Sequence, residues 1–334
     1  MKRRELLGLS MAAALIGRAS AQTRSRPVRR IAIVHFSANE SVAETGAKPW
    51  QAFFAELRRG GYFESDNLHI ERFAAEPLPH GAPRGVADLL ARKPEVIVAE
   101  SATWVRSINA ISPAIPLVAM VADPLGEDVS AGLRQPSRNI TGVSTDSGAE
   151  LLGKQLDILL EAVPRCRHVA CLGSEAPKGA MRTLWIDAQR RGVSVQEILV
   201  HSQFPAMRPG ARYAHALASA LRDGADGLLV FADPEHTAYA EAISKLSLDR
   251  MLPLVGPFRP FTEAGGLVSY GPDLRELERQ RASYVARILD GAHPGALPFQ
   301  QPTRFELVIN LKTAEALSIT ISPSLLARAD EVIE

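Results

Sequence analysis

The sequence predicts an α/β fold in two lobes of Rossmann-like layout, each a parallel sheet flanked by helices. Short runs rich in Val, Ile and Leu alternate with segments of helical periodicity, which is typical of βαβ units with buried parallel strands. The alternation restarts after the polar stretch Asn139-Ile140-Thr141-Gly142. With 334 residues and 46% hydrophobic content, the chain is long enough for two cores. We therefore expect two lobes rather than one.

The strands are predicted from short apolar runs bounded by turn residues. In chain order they are Arg30–Phe36, Leu68–Phe73, Val96–Ala99, Leu117–Val121, Val169–Leu172, Val195–Val200, Leu228–Ala232, Leu252–Gly256 and Leu267–Tyr270. Amphipathic helices are predicted between them. One such helix has an aromatic face and ends at Gly60-Gly61, and another has a leucine-rich face and ends at Pro164. Both faces are interpreted as core packing.

The N-terminal sequence MKRRELLGLSMAAALIGRASAQ predicts a signal peptide over residues 1–21, with cleavage after Ala21. A basic head precedes an apolar stretch that is about half of the roughly 20 residues needed to cross a bilayer. The pair Arg3-Arg4 leaves both the twin-arginine and the general export route open. Neither cysteine lies at the cleavage site, so no lipid anchor is expected. The sequence thus predicts a free periplasmic protein.

Charge and motifs argue against nucleic-acid binding and against catalysis. Cleavage would remove four basic residues and one acidic residue, so the net charge would fall from +1 to −2. Such a chain has no electrostatic footprint for nucleic acid. It also lacks a Gly-x-Gly fingerprint, a phosphate loop, a Gly-x-Ser-x-Gly elbow and a His-Glu-x-x-His motif. We therefore expect no enzyme, no catalytic residues, no cofactor and no metal site; the cluster Asp233-Pro234-Glu235-His236 is a poor set of metal ligands.

The candidate ligand-binding residues follow the predicted strands, because ligands of open parallel sheets bind beyond the carboxyl ends of the strands. They are Ser37, Asn39, Ser101, Thr103 and Asp123 on the first lobe, Ser174, Glu175, Asp233 and Phe258 on the second, and Tyr270 near a crossing between lobes. Hydroxyls could hold a carboxylate, Asp123 or Asp233 an ammonium, and Phe258 or Tyr270 an apolar body.

Several of these residues also have a purely structural interpretation. Ser101 and Thr103 could be helix caps, and Asp123 before Pro124 could fix a turn. Tyr270 could support a hinge by packing. Trp104 could stack on an aromatic ligand or cover its helix.

The C-terminal run contains EAGGLVSYGPDL, the helix end ILDG, QPTRFELVINLKTA and SLLARADEVIE. Together with IPLVAMVADPLG, NITGVST and GKQLDILLEAVP, it closely resembles bacterial ABC-transporter substrate-binding proteins of the tryptophan/tyrosine-type family. Departures fall on the predicted rims. The chain has Ser101-Ala102-Thr103 where the family usually has Gly-Thr-Pro or Gly-Ser-Pro. The resemblance therefore does not name the ligand.

The resemblance implies the type 1 periplasmic binding protein fold, with two lobes joined by a three-crossing hinge. Lobe 1 would comprise residues 28–142 and 268–307, and lobe 2 residues 143–267 and 308–334. The crossings would fall at residues 139–142, in the GGLVSYGPDL segment and near Phe305–Asn310. Such a hinge lets a few backbone positions absorb a rigid rotation of the lobes.

The implied function is that of a periplasmic solute-binding component of an ABC importer. It would capture a small polar or amino-acid-like ligand in the interlobe cleft and deliver it to an ABC permease in the inner membrane, acting as a monomer. Two alternatives stay open: a ligand sensor that presents its closed form to a membrane receptor or kinase, and an exported enzyme on the same scaffold.

Overall fold

A computed structural model describes residues 27–36, 42–74, 85–136, 138–145, 148–173, 178–200, 207 and 209–334. The predicted signal peptide lies outside these residues. No helix among the described residues is long and apolar enough to cross a membrane.

The first sheet has five parallel strands in the order β2-β1-β3-β4-β5. The strands are β1 (Arg29–His35), β2 (Leu68–Ala74), β3 (Val96–Ala99), β4 (Leu117–Val121) and β5 (Ile140–Ser144). The helices α1 (Lys48–Arg59), α2 (Val86–Ala91) and α3 (Ala102–Ile111) connect the first four strands. The aromatic face of α1 is buried against the sheet, as its helical spacing predicts.

The second sheet has seven strands in the order β12-β11-β10-β9-β8-β6-β7. They are β6 (His168–Gly173), β7 (Ser194–Leu199), β8 (Gly227–Val230), β9 (Leu254–Gly256), β10 (Val268–Pro272), β11 (Phe305–Asn310) and β12 (Glu331–Ile333). All neighbouring pairs are parallel except β10 with β11.

The remaining helices belong mostly to the second sheet. They are α4 (Ala149–Ala162), α5 (Lys178–Arg190), α6 (Pro209–Arg222), α7 (Pro234–Ala238), α8 (Ala240–Leu248), α9 (Arg259–Glu263), α10 (Leu274–Leu289), α11 (Leu311–Ala316) and α12 (Pro323–Leu326). A short 3-10 turn spans Pro294–Ala296. Helix α10 is the exception, because it leaves the second sheet and packs on α1 and the first sheet.

The chain passes three times between the sheets. The passages follow β5, follow β10, and precede β11. Two lobes joined by three passages are the arrangement that the resemblance implies. An apolar cluster of Met120, Val143, Phe258, Leu274 and Leu277 joins the lobes.

The predicted first crossing at residues 139–142 is wrong, because Ile140–Ser144 is the fifth strand of the first sheet. Its polar side chains have partners within the first lobe: Thr141 Oγ1 donates to the Leu297 carbonyl at 2.6 Å and Ser144 Oγ to the Ala122 carbonyl at 2.7 Å. Gly142 is needed because a Cβ there would lie 2.1 Å from the Ala119 carbonyl oxygen. The passage to the second lobe starts only after this strand.

The predicted lobe boundaries at 268 and 307 also do not coincide with the sheets. Val268–Pro272 pairs with β9 and Phe305–Asn310 pairs with β10, so both segments lie in the second sheet. Only the chain between them, which carries α10, returns to the first lobe. Backbone pairing, which periodicity does not show, determines these boundaries.

Candidate functional site

A cavity of about 480 Å³ lies between the two lobes, where the carboxyl ends of both sheets face each other. The first lobe contributes residues after β3 and β4 and two residues of α10. The second lobe contributes the start of α4, the segment after β8 and the start of α9. The position agrees with the rule that open parallel sheets bind ligands beyond their strand ends. The cavity size suits a small molecule.

Ser101 and Thr103 lie in the first-lobe wall, at the N-terminus of α3. Ser101 is the N-cap residue, and its Oγ accepts a hydrogen bond from the Trp104 amide at 3.3 Å. Arg106, one turn further along the helix, also lines the cavity, and its Nη2 lies 3.5 Å from Thr103 Oγ1. The hydroxyls and one cation therefore share this side of the cleft.

Asp233 and Phe258 lie in the second-lobe wall. Asp233 follows β8 and caps α7, where its Oδ1 accepts a hydrogen bond from the Glu235 amide at 2.8 Å. Phe258 precedes α9 and is also part of the apolar cluster that joins the lobes. Phe231, beside Asp233 in sequence, adds a second ring to this wall.

Two predicted residues do not line the cavity, contrary to the expected geometry. Asp123 turns back into its own loop, where Oδ1 accepts a hydrogen bond from the Leu125 amide at 3.0 Å. Tyr270 stacks on Phe305, with ring centroids 6.1 Å apart, on the neighbouring strand of the second sheet. The turn and hinge interpretations therefore describe these residues better.

Trp104 is also outside the cavity wall. Its side chain is buried and meets Phe36 edge to face. The predicted residues Ser37, Asn39, Ser174 and Glu175 lie outside the described residues.

The structure adds charged residues that the sequence did not single out. Glu100 directly follows β3 and lines the cavity. Glu278, on α10, lines the cavity too. Arg281, one turn after Glu278, is fully buried behind them. Its Nε and Nη2 lie 3.0 and 2.6 Å from the two Glu278 carboxylate oxygens. The spacing of Glu278 and Arg281 on a helix was visible in the sequence, but their position in the cleft was not.

Burial governs the electrostatics of this wall. Desolvation raises the pKa of Glu100, although Arg281 opposes the shift. The same cause raises the pKa of Glu278 to about 7. Desolvation also raises the pKa of Glu127, another carboxyl at the cavity. The cavity is therefore lined by carboxyls in a poorly solvated environment, with Arg106 as a lining cation.

The described residues offer no group of three or more His, Cys, Asp or Glu that could hold a metal ion. Among the described residues, the cavity lining contains neither His nor Cys. The described lining offers charged groups, hydrogen-bonding groups and apolar surface.

The two facing lobes with a cavity between them form the type 1 periplasmic binding protein fold. The chain belongs to the ABC transporter substrate binding protein family, whose family model matches residues 31–333. Proteins of this family bind small-molecule ligands and work with ABC permeases; the family is one of binding proteins, not enzymes.

Relatives share the fold at low sequence identity. A conserved domain protein from Vibrio cholerae O1 biovar El Tor is 24% identical, with a TM-score of 0.73 over 91% of this chain and 99% of that one. The ABC domain in complex with L-Trp from Streptococcus pneumonia is 20% identical, with a TM-score of 0.74 over 92% and 100%. A tyrosine-binding protein from Clostridioides difficile is 19% identical over 276 residues, which cover 81% of this chain and 77% of that one.

Proposed function

We propose that this protein is the periplasmic solute-binding component of an ABC importer and that it captures a small polar or amino-acid-like ligand between its lobes. The observation that carries the proposal is the cavity of about 480 Å³ at the facing carboxyl ends of two sheets. Three chain passages join those sheets, so the lobes can rotate about a few backbone positions and enclose a ligand. The amino-acid ligands of two relatives support the ligand class.

Ligand capture is tested by thermal unfolding of the mature chain, residues 22–334, with a panel of amino acids, amines, sugars, carboxylates and nucleosides. A true ligand at a hundredfold excess over its dissociation constant should add about 2.7 kcal/mol to the free energy of unfolding. The variant Ala238→Trp, which places bulk in the cavity wall, should lose this gain. The matched control Ala214→Trp, on a helix outside the cavity, should keep it.

The proposal fails if no solute in the panel stabilises the protein, or if Ala238→Trp responds like the wild type. Import is tested separately in a strain that lacks the protein. Uptake of the identified ligand should be lost there and restored by the wild-type gene but not by the Ala238→Trp gene.

Periplasmic location is the third part of the proposal, supported by the layout of residues 1–21. Osmotic shock should release the protein with Gln22 as its first residue. Retention in the cytoplasmic fraction with an intact N-terminus would contradict export.

A further inference from the structure

The first-lobe wall of the cavity has two buried carboxyls and one buried cation. Glu100 and Glu278 both line the cavity, and Arg281 is the cation beside them. Arg281 binds Glu278 through two of its nitrogens, whereas its Nη2 lies 3.9 Å from Glu100 Oε1, which is too far for a hydrogen bond. One guanidinium thus lies beside two carboxyl groups, but its hydrogen bonds go to Glu278 alone.

Arg281 cannot also form a hydrogen bond with Glu100, because its side chain is enclosed. Its side chain is 0% exposed, and its guanidinium carbon lies 4.8 Å from the centroid of the Trp50 ring. Its Nη1 has no hydrogen-bond partner among the described residues, so the guanidinium is oriented by Glu278 and Trp50 rather than by Glu100. Among the described residues, Glu100 therefore has Arg281 at ion-pair distance but no cation within hydrogen-bond distance.

Glu100 also keeps acceptor capacity at the cavity. Its Oε2 accepts one long hydrogen bond from the Phe36 amide at 3.4 Å, and Oε1 accepts none from the described residues. Both oxygens of Glu278 are taken by Arg281, Asp233 caps α7, and Glu127 Oε2 faces the Asp123 amide at 3.3 Å. With its side chain 14% exposed, Glu100 is open to the cavity but poorly solvated.

We propose that Glu100 binds a positively charged ammonium group of the ligand, so that the physiological ligand is a small amine or amino acid rather than a neutral sugar or a simple carboxylate. This inference rests on the proposed function, because it concerns the same cavity. An ammonium group has three donors and one positive charge, so it could donate to the free acceptor oxygen of Glu100 and stabilise the ionised form of that carboxyl. An anionic ligand would instead add a further negative charge beside two buried carboxyls.

The rings of Phe231 and Phe258 and the side chain of Met120 provide an apolar part of the same cavity. A ligand that fits would therefore join an ammonium end at Glu100 to an apolar body. Asp233, which the sequence suggested as the ammonium partner, lies on the opposite lobe and is engaged by its helix.

The test compares ligands that share one body and differ in their charged groups. The probes are tryptamine (ammonium only), L-tryptophan (ammonium and carboxylate), tryptophol (neutral) and indole-3-propionate (carboxylate only). Butane-1,4-diamine and butane-1,4-diol form a second pair, added to the panel of solutes described above. Dissociation constants are measured by calorimetry for every compound that stabilises the protein. Each compound that binds should carry an ammonium group, and its uncharged analogue should bind at least about tenfold more weakly.

Variants then assign the effect to one residue. Glu100→Gln should weaken an ammonium ligand about tenfold to a hundredfold, because it removes a charge-assisted hydrogen bond. Glu100→Asp, which keeps the charge, should weaken it less. The matched control Glu241→Gln, an exposed residue of α8, should change the dissociation constant by less than about twofold. Thermal unfolding without ligand checks that each variant is folded.

The outcomes separate this inference from the proposed function. If a sugar or a carboxylate without an ammonium group binds in the cavity, the binding function stands and the inference is overturned. An unchanged affinity in Glu100→Gln overturns it as well. If Glu100→Gln does not fold, the comparison of each amine with its alcohol on the wild-type protein decides. If no compound binds at all, the proposed function fails and the inference fails with it.

Discussion

At the scale of single residues, Arg281 and Glu278 form a buried ion pair with an energetic consequence. Arg281 is fully buried and Glu278 is nearly so. A second carboxyl, that of Glu100, lies beside them. Removing a carboxylate from water disfavours its charged form, and the nearby Glu100 adds to this effect. Arg281 compensates only in part. Glu278 is therefore a carboxyl whose ionisation opposes folding.

This predicts a specific pH dependence of stability. Burial raises the pKa of Glu278 from its ordinary 4.5 to about 7, so the folded state binds the proton more tightly than the unfolded state. The stabilisation is fully present below pH 4.5 and is lost as the pH rises through about 7. The free energy of unfolding, measured by urea titration at several pH values, should fall over this window in the wild type. The fall should be smaller in Glu278→Gln, and Glu241→Gln should retain the wild-type slope. Equal slopes in all three proteins would contradict the assignment.

At the scale of elements, the junction between β10 and α10 explains the most recognisable motif of the chain, SYGPDL. Tyr270 packs on β11, and Gly271 passes close to the backbone at Pro257. Asp273 caps α10 by accepting a hydrogen bond from the Arg275 amide at 2.9 Å. A Cβ at Gly271 would lie 1.9 Å from the Pro257 carbonyl oxygen, on the backbone just before Phe258. These three residues lie at the start of the second passage between the lobes and do not line the cavity.

Gly271→Ala should therefore destabilise the protein by about 1–3 kcal/mol, the usual cost of overpacking, because the atom that the new Cβ would meet belongs to the backbone. Chemical denaturation measures the effect. The control Gly210→Ala lies in the first turn of α6, where an added Cβ meets nothing within 4 Å, and it should be neutral or slightly stabilising. Equal stability of the two variants would show that the chain at Pro257 can move freely.

At the scale of the whole molecule, the lobes are joined by more than the three passages. On the cleft side of α1, Lys48 Nζ lies 2.7 Å from Glu263 Oε1 on α9, which belongs to the second lobe. The side chains are 62% and 29% exposed, so solvent screens this pair strongly. The ion pair should favour the closed arrangement only slightly, in addition to the apolar cluster around Phe258 and Leu277.

Charge reversal tests this link between the lobes. Lys48→Glu should weaken ligand binding by at most about fivefold, because a repulsive contact would then oppose closure. The double variant Lys48→Glu/Glu263→Lys should recover most of the affinity. Calorimetric dissociation constants at low and high salt measure both effects, and the difference should shrink at high salt. Failure of the double variant to recover would mean that Lys48 acts in some way other than through Glu263.

Comparison of prediction and structure shows where local patterns suffice. Val96–Ala99 and Leu117–Val121 were predicted with their observed ends, because a buried parallel strand is a continuous apolar run bounded by turn residues. Ile140–Ser144 was missed as a strand because Thr141 and Gly142 look like a loop until their partners are known. Those partners are Leu297 and Ala119, and only the fold brings them to this strand.

The candidate site was predicted only in part, because strand ends can be predicted locally but tertiary neighbours cannot. Ser101, Thr103, Asp233 and Phe258 line the cavity because each directly follows or caps an element at the carboxyl edge of a sheet. Asp123 and Tyr270 meet the same positional rule, but their own neighbours hold them elsewhere. Glu100 was passed over although it directly follows β3, because nothing in the sequence pairs it with α10.

The sequence by itself determined the α/β class, the two-lobed type 1 fold and the family, since these depend on periodicity and on motifs that are continuous in the chain. The tertiary structure alone decided the charge of the ligand cavity. Helical spacing pairs Glu278 with Arg281, but the second chain passage, which brings α10 onto α1 and the first sheet, is what places that pair beside Glu100. Electrostatic interactions depend on distance through space and on burial, and neither quantity is encoded in the order of residues along the chain.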